Sequence, residues 1–526
     1  MQGKRIMVIG AGVSGLGAIK ICLEEGLEPI CFEESNDIGG LWRYEVKDGR
    51  RQAKSVISNT SKEMMAYSDY PFPDHFPNYL HNSKIMEYLR MYVKHFHLLK
   101  HIRFLVCSVK KHSDFSFTGQ WDVVVQAEGK QESYVFDGIM VCSGLFTNPF
   151  MPLQKFPGIM RFKGQYIHSW EYKSPEKFQG KKIIVIGIGN SGADLAIELS
   201  HVAAQVFLST RRGAWIWNRV WDYGMPMDTV LFTHFNSLLN KICPEFLINR
   251  WAENKLNARF NYEIYGLFLT HQATVGDDLP NYIISGRVLM KPNVTKFTET
   301  SAIFEDGTEE DVDVVIFATG YTYSFPFLEN NSTVLDIQRS MYKFVFPPEL
   351  EKPTLAFIGI LQPVGATIPT SELQSQWAVH VFKGLNKLPS VKMEFLIVSS
   401  SGFRYLNSPR NARRVQYVNY MDEIASEIAV KPNLFSLFLW DPKLALEIFL
   451  GPCTPYQYCL QGPGKWAGAR EAILTQRERI IKPLRTRTLI CDQVPWSVPL
   501  WLKRIWIIDD SFRLWRVPGR EKEGIM

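Results

Sequence analysis

The 526-residue sequence lacks features that mark several classes of protein. Its eight cysteines include no C-x-x-C and no C-x₄-C pair, which argues against a zinc ribbon or a redox dithiol. The net charge is only +6, so the composition does not favour nucleic-acid binding. There is no low-complexity tract, and no run of the ~18 apolar residues that a membrane-spanning helix needs. The composition therefore indicates an ordinary globular protein that faces the cytosol and whose cysteines are reduced.

A strand, three glycines and a helix open the chain. Residues 6–9 are apolar, and Gly10, Gly12 and Gly15 follow before a helical pattern begins. Gly10 suits a tight turn, Gly12 lets the backbone approach a pyrophosphate, and Gly15 lets the helix pack against the strand. The next strand ends at Glu33, 18 residues after the last glycine, where a carboxylate can accept hydrogen bonds from ribose hydroxyls. Since the strand starts so early, we expect no cleaved signal peptide.

Three further places carry candidate site residues. Gly40, Leu41 and Trp42 predict a glycine turn whose backbone a flat ring system can approach. Asn59 lies in a polar, proline-bounded loop, where its amide can donate and accept near a reacting group or act as a turn residue. His168, in the connector to the second half, is either a proton shuttle or a structural residue.

The first glycine pattern is repeated 177 residues later, at Gly187, Gly189 and Gly192. Here the second strand ends in Thr210 rather than an acid, and Arg211 follows. A carboxylate would repel a 2′-phosphate, whereas a hydroxyl and a guanidinium can bind one, so this unit should prefer NADPH to NADH. The alternative is that Arg211 and the adjacent Arg212 only face solvent. Two such units in one chain imply two dinucleotide cofactors.

The rest of the chain is less explicit. Short strands are predicted over 102–109, 121–127 and 134–142, and again over 282–290 and 311–320. Residues 214–280 predict a mostly helical insertion on the substrate side. A last buried strand precedes a loop that contains Pro369 and Glu372. A helix from Leu373 to Gly384 follows this loop, and its N-terminus would lie near the first cofactor.

The chain resembles the flavin-containing monooxygenases of the mammalian microsomal type, from the first glycines to about residue 485. Phe162, Gly164, His168 and Tyr172 match the motif F-x-G-x-x-x-H-x-x-x-Y, and residues 317–321 match F-A-T-G-Y. The resemblance implies an α/β fold with two Rossmann-like dinucleotide-binding domains. The NADPH domain would be inserted into the FAD domain, with a mostly helical insertion and a C-terminal segment in addition.

The resemblance also implies boundaries and sites. The FAD domain would comprise residues 1–154 and 331–485. The NADPH domain would comprise residues 155–213 and part of 281–330, a range that would also contain a strand of the FAD domain. Residues 214–280 would form the insertion and residues 486–526 the tail. FAD would bind Gly10, Gly12, Gly15, Glu33, Gly40, Leu41 and Trp42. NADPH would bind Gly187, Gly189, Ser191, Gly192, Thr210 and Arg211. Asn59 would lie beside the flavin ring and act in catalysis.

The implied activity is an NADPH- and O₂-dependent oxygenation of soft nucleophilic amines and sulfides through a C4a-hydroperoxyflavin, giving N-oxides and S-oxides. Two alternatives stay open: a ketone-oxygenating Baeyer–Villiger monooxygenase, and a family member that binds cofactors with impaired turnover. The second alternative depends on residues 268–273 and 391–403, which depart from the family pattern.

In the tail, tryptophan, leucine and isoleucine residues alternate with Lys503 and Arg504. This pattern predicts a segment that lies on a membrane surface, or alternatively a helix packed on the protein itself. The resemblance implies the cytosolic face of the endoplasmic reticulum membrane. A homo-oligomer is left open.

Overall fold

The computed structural model describes residues 3–43, 56–104, 106–127, 130–258, 260, 262, 273–322, 324–328, 341–348, 350–389 and 414–486. The strands are β1 Arg5–Ile9, β2 Glu28–Phe32, β3 Ile102–Arg103, β4 Val106–Lys111, β5 Trp121–Ala127, β6 Lys130–Phe136, β7 Gly138–Val141, β8 Asn148–Pro149, β9 Gln165–His168, β10 Lys182–Ile186, β11 Gln205–Ser209, β12 Trp215–Trp217, β13 Ala273–Val275, β14 Val288–Lys291, β15 Val294–Phe297, β16 Ser301–Phe304, β17 Glu309–Asp311, β18 Val314–Phe317, β19 Tyr321–Thr322, β20 Leu355–Phe357, β21 Gln362–Val364 and β22 Arg414–Gln416. The α-helices are α1 Val13–Glu24, α2 Lys62–Met65, α3 Asn82–His95, α4 Phe115–Thr118, α5 Asn190–Leu199, α6 Met227–Leu231, α7 His234–Ile242, α8 Glu245–Asn257, α9 Leu279–Ile284, α10 Thr367–Phe382, α11 Tyr417–Glu427, α12 Leu434–Trp440, α13 Pro442–Leu450 and α14 Ala469–Ile481.

The first glycine unit belongs to a parallel sheet of five strands in the order β20-β7-β1-β2-β3. Strand β1 is apolar throughout because both of its faces are covered. Ile6 and Val8 pack in a core with residues of α1 and α10, whereas Met7 and Ile9 pack with residues of the antiparallel sheet β4-β5-β6. The sequence prediction of a buried parallel strand is confirmed.

The second glycine unit belongs to another parallel sheet, in the order β14-β11-β10-β18-β9. Ile183 and Val185 face a core that contains residues of α5, and Ile184 and Ile186 face one that contains β15 and β16. Two parallel sheets with helices packed on them confirm the predicted α/β class with two Rossmann-like units. Of the strands between residues 281 and 330, β14 and β18 join this second sheet, and the last strand of the first sheet is β20.

Two predicted strands are wrong in extent, because each spans a change of sheet. The strand predicted over 102–109 is β3 and β4, and the strand predicted over 134–142 is β6 and β7. Between β6 and β7, Asp137 accepts a hydrogen bond from the backbone N–H of Arg5, 2.8 Å away. The Asp137-Gly138 pair is a turn signal that the apolar residues around it concealed.

One helix was predicted as a strand, and another begins earlier than predicted. The strand predicted over 282–290 is helix α9 followed by β14, and α9 carries Pro280 in its first turn, where proline is well tolerated. Helix α10 begins at Thr367 rather than Leu373, so Pro369 and Glu372 are helical. Proline in a first helical turn removes no backbone hydrogen bond, so it did not end the helix.

Several predictions fall on residues outside the described ranges: residues 268–272, residues 391–403 and the tail from 487 onward. In the part of the chain that the structure describes, no helix has both the length and the apolar character that crossing a membrane requires. The described cysteines Cys22, Cys31, Cys142, Cys243, Cys453 and Cys459 are not joined in disulfide bonds.

Candidate functional site

A cavity of about 2410 Å³ contacts both glycine loops. Typical pockets for one small ligand measure roughly 300–1000 Å³, so this cavity has room for two dinucleotides. Of the predicted site residues, Gly10, Gly12, Glu33, Gly40, Leu41, Trp42, Asn59, Gly189 and Ser191 line it. Gly15, Gly187, Gly192, Thr210 and Arg211 are not among its lining residues in the described structure.

The first glycine loop has the geometry of a pyrophosphate cradle. Gly10 has a φ of +100°, and a Cβ there would lie 2.8 Å from the carbonyl oxygen of Cys142. A Cβ on Gly15 would lie 1.8 Å from the carbonyl oxygen of Gly10, so α1 packs directly on the loop. Gly12 caps α1 without a side-chain hydrogen bond, which leaves the first N–H groups of the helix for an anion.

The second loop repeats this geometry. Gly187 has a φ of +111°, with the carbonyl oxygen of Ala318 only 2.6 Å from a built Cβ, and a Cβ on Gly192 would lie 1.8 Å from the carbonyl oxygen of Gly187. Gly189 caps α5, again without a side-chain hydrogen bond, and nothing lies within 4 Å of a Cβ built there. Both loops therefore fit dinucleotides, and their first and third glycines are packing positions.

The residues after the second strand of each unit differ in their contacts. Glu33 lines the cavity, and its Oε2 accepts from the backbone N–H of Ala11 at 2.7 Å, so the carboxylate also holds the glycine loop. Thr210 Oγ1 accepts from the backbone N–H of Gly213 at 3.0 Å, and Arg211 is exposed beside it.

The turn at residues 39–42 closes over the first glycine loop. Gly39 and Gly40 have φ values of +108° and +51°, conformations that favour glycine. A Cβ on Gly40 would lie 3.1 Å from the Cα of Gly12, so two glycine backbones approach each other at the cavity wall. Leu41 and Trp42 line the cavity next to them.

Asn59 is bound by an arginine that the sequence analysis did not select. Arg219 Nη2 donates to Asn59 Oδ1 at 2.8 Å, and Arg219 Nε donates to the carbonyl oxygen of Ser58 at 3.0 Å. Asp277 accepts from Arg219 Nη1 at 3.0 Å and from its backbone N–H at 2.7 Å. A guanidinium only donates, so the amide oxygen of Asn59 must face it, and the amide N–H₂ is the end left for a ligand. No motif links residues 160 positions apart, so the sequence alone offered no signal.

A buried carboxyl faces the same cavity. Asp194 of α5 lines it, and burial raises the pKa of Asp194 to about 6, with Glu198 and Asp277 acting in the same direction and Arg219 opposing them. The second loop thus has an acid beside it that holds a proton more readily than an exposed aspartate does.

His168 has a structural position. It is buried at the end of β9, its Nε2 donates to the carbonyl oxygen of Gly320 at 2.9 Å, and its Nδ1 accepts from the backbone N–H of Trp170 at 3.1 Å. Burial lowers the pKa of His168. The histidine therefore joins the two sequence motifs of residues 162–172 and 317–321. Its contacts fit a structural residue rather than a proton shuttle.

Comparisons with known proteins agree with this geometry. The model of a family described as flavin-binding monooxygenase-like matches residues 3–509. Flavin-containing monooxygenase 5 of Rattus norvegicus is 58% identical over 504 residues, covering 93% of this chain and 95% of the relative. Dimethylaniline monooxygenase (N-oxide-forming) 2 of Cavia porcellus is 54% identical, covering 93% and 94%.

Solved structures share the fold at low sequence identity. The S-allyl-L-cysteine S-oxygenase of Allium sativum has a TM-score of 0.61 at 22% identity, covering 91% of this chain and 99% of that one. A closed form of cyclohexanone monooxygenase has a TM-score of 0.61 at 16% identity, covering 82% and 98%.

Proposed function

The chain belongs to the flavin-binding monooxygenase-like family and binds FAD and NADPH, and from this we propose that it forms N-oxides and S-oxides of soft nucleophilic amines and sulfides. The observation that carries the proposal is a cavity that contacts both glycine loops in the described part of the chain. FAD and NADPH held at these loops would share this cavity with substrate and O₂. We also propose that the FAD domain comprises residues 1–154 and 331–485, and that the NADPH domain comprises residues 155–213 and part of 281–330.

When bound, FAD supplies the redox chemistry, taking a hydride from NADPH and passing one oxygen atom of O₂ to the substrate while the other leaves as water. The chain supplies position and exclusion of solvent. The free N–H groups after Gly12 and Gly189 would hold the two pyrophosphates, and the carboxylate of Glu33 would accept a hydrogen bond from a ribose hydroxyl. Thr210 and Arg211, at the carboxyl end of β11, would hold the 2′-phosphate.

Asn59 is the residue we assign to the reacting centre. Because Arg219 holds its amide oxygen, its N–H₂ group is presented to the cavity as a fixed donor. A fixed donor costs no reorganisation at the moment of reaction, which is how preorganised polar groups contribute to catalysis. The names of the relatives, one of them an N-oxide-forming enzyme, support oxygenation at nitrogen.

Three substrates test the proposal on the purified, FAD-loaded protein. NADPH consumption and products are measured with a tertiary amine, a thioether and a cyclic ketone. We expect an N-oxide and an S-oxide, and an Asn59→Ser variant that keeps its flavin but loses most of the product. A lactone as the main product would establish the ketone-oxygenating alternative instead. A flavin spectrum without substrate-dependent NADPH consumption would establish impaired turnover.

We also propose that the protein lies on the cytosolic face of the endoplasmic reticulum membrane. Helix α12 buries none of its residues, and Phe435 and Trp440 are 77% and 84% exposed. The adjoining helix α13 exposes Leu446, and α13 also contacts α7, which exposes Ile242. Aromatic and aliphatic side chains exposed together on adjoining helices are typical of an interfacial membrane contact.

Vesicle sedimentation tests this surface. The double variant Phe435→Ser/Trp440→Ser should bind phosphatidylcholine–phosphatidylserine vesicles more weakly than the unaltered protein. Phe117→Ser is the matched control, because Phe117 is an equally exposed aromatic residue on the separate helix α4. Equal binding by both variants would contradict the assignment of this surface.

A further inference from the structure

The helix α2 lies three residues beyond Asn59 and is only four residues long, yet all four of its residues are buried. Two of them, Lys62 and Glu63, are charged and have 0% exposure. A single helical turn is not stable by itself, and burying a charge is costly unless it is paired. Contacts from elsewhere in the chain must therefore hold this segment.

Glu63 is paired with an arginine from the far end of the described chain. Arg479 of α14 donates through Nη2 to Glu63 Oε2 at 2.7 Å and through Nε to Glu63 Oε1 at 3.1 Å. The hydroxyl of Tyr456 donates to the same Oε2 at 3.0 Å. This two-point arrangement of a guanidinium on a carboxylate fixes orientation as well as distance.

The guanidinium is itself held in place. Arg479 Nη1 donates to Thr475 Oγ1 at 2.6 Å and Nη2 donates to the carbonyl oxygen of Ala472 at 2.8 Å, both on its own helix. These two bonds fix the Arg479 side chain relative to α14. The position of α14 therefore also fixes the position of the Glu63 carboxylate.

Other contacts bind the same segment. The backbone N–H of Ser61 donates to Asp228 Oδ2 at 2.6 Å, and Lys62 Nζ donates to the carbonyl oxygens of Asp74 and Phe76 at 2.7 and 2.8 Å. The segment that follows Asn59 is thus bound by the insertion, by α14 and by a local loop. Apolar residues of equal volume would hold this helix at a lower desolvation cost. The buried charged residues therefore indicate that a defined position of the segment is required.

We propose that Arg479 is a positioning residue of the reaction. Through Glu63 it sets the place of the backbone that carries Asn59, and Arg219 then orients the Asn59 amide. The proposal rests on the function proposed above, because it requires Asn59 to act at the reacting centre.

Arg479→Lys tests the proposal in the full-length, FAD-loaded protein. Lysine keeps the positive charge and loses the two-point contact. The control is Arg477→Lys, because Arg477 lies on the same helix and its Nε bonds Glu447 Oε1 at 2.8 Å, away from the Asn59 segment. We would measure the flavin content, the KM for NADPH, kcat and the product formed per NADPH. Hydrogen exchange of residues 57–66 would be measured without NADPH.

We expect Arg479→Lys to retain its flavin and its KM for NADPH, and to exchange faster over residues 57–66. Its product per NADPH should fall about tenfold, since a displacement of ~1 Å near a reacting centre costs up to ~10²-fold. The control should match the unaltered protein. If Arg479→Lys loses flavin, the charge-neutral pair Glu63→Gln/Arg479→Gln is measured by the same criteria.

A double-variant cycle separates positioning from general stability. If Arg479 acts through Asn59, adding Arg479→Lys to Asn59→Ala causes no further loss of product per NADPH. Independent, multiplying losses would overturn the positioning role and leave the function of Asn59 intact. Normal product formation by Asn59→Ala itself would overturn the role of Asn59, and with it the role proposed for Arg479.

Discussion

Gly189 caps α5 and Gly192 lies in its first turn, and alanine should have a different effect at each position. Nothing lies within 4 Å of a Cβ built on Gly189, whose φ of −68° suits any residue. A Cβ on Gly192 would lie 1.8 Å from the carbonyl oxygen of Gly187, a backbone atom that cannot rotate away. We therefore predict that Gly189→Ala weakens nucleotide binding and that Gly192→Ala destabilises the fold.

The distances set the magnitudes. Real Cβ atoms essentially never approach closer than 3.0 Å, so Gly192→Ala must displace the backbone by at least the missing 1.2 Å. Overpacking of this kind costs ~1–3 kcal/mol or more. In Gly189→Ala the folded protein loses only about 1 kcal/mol or less from the altered helix cap. If the methyl group stands between the backbone and a pyrophosphate, one charge-assisted hydrogen bond worth ~1.5–3 kcal/mol is lost.

Thermal unfolding and titration calorimetry with NADP⁺ on the FAD-loaded variants check both effects. We expect Gly189→Ala to melt near the unaltered protein and to raise the Kd about 10- to 100-fold, since ~1.4 kcal/mol is tenfold. Gly192→Ala should melt several degrees lower. Unchanged NADP⁺ affinity in Gly189→Ala would refute the placement of the nucleotide on this loop. Unchanged melting of Gly192→Ala would refute the packing role of the third glycine.

Three other variants make independent predictions. Arg211→Ala should weaken NADPH by ~1–3 kcal/mol and leave NADH almost unaffected, as measured by KM for each; equal losses would contradict the 2′-phosphate contact. Burial raises the pKa of Asp228 from 3.8 to about 6, so its contribution to stability is complete below pH 3.8 and is lost as the pH rises through 6. Asp228→Asn should therefore make the melting temperature less dependent on pH between these two pH values. The same pH dependence in the variant as in the unaltered protein would argue against this titration. His168→Gln should lower the melting temperature without altering the pH profile of kcat, because the histidine bonds Gly320 rather than lining the cavity; a lost limb of that profile would favour a proton shuttle.

Local patterns predicted the two cofactor loops well. Gly10 and Gly187 require positive φ, and Gly15 and Gly192 leave no space for a Cβ, so both constraints operate within a few residues of chain. Such constraints can be read from spacing alone. The strand predictions failed where strands of two different sheets follow each other closely, as at Asp137, because the apolar residues on the two sides of Asp137 resemble one continuous strand.

The sequence by itself determined which segments form the two dinucleotide cradles, because each cradle is a strand, a turn and a helix that are consecutive in the chain. Only the tertiary structure decided what surrounds Asn59. Arg219 and Arg479 reach its segment from 160 and more than 400 residues away. An arginine carries no mark of its partner in the sequence, and the partner is set by how the insertion and α14 pack around the segment that follows Asn59. The cofactor sites are therefore local products of the chain, and the centre between them is a product of its packing.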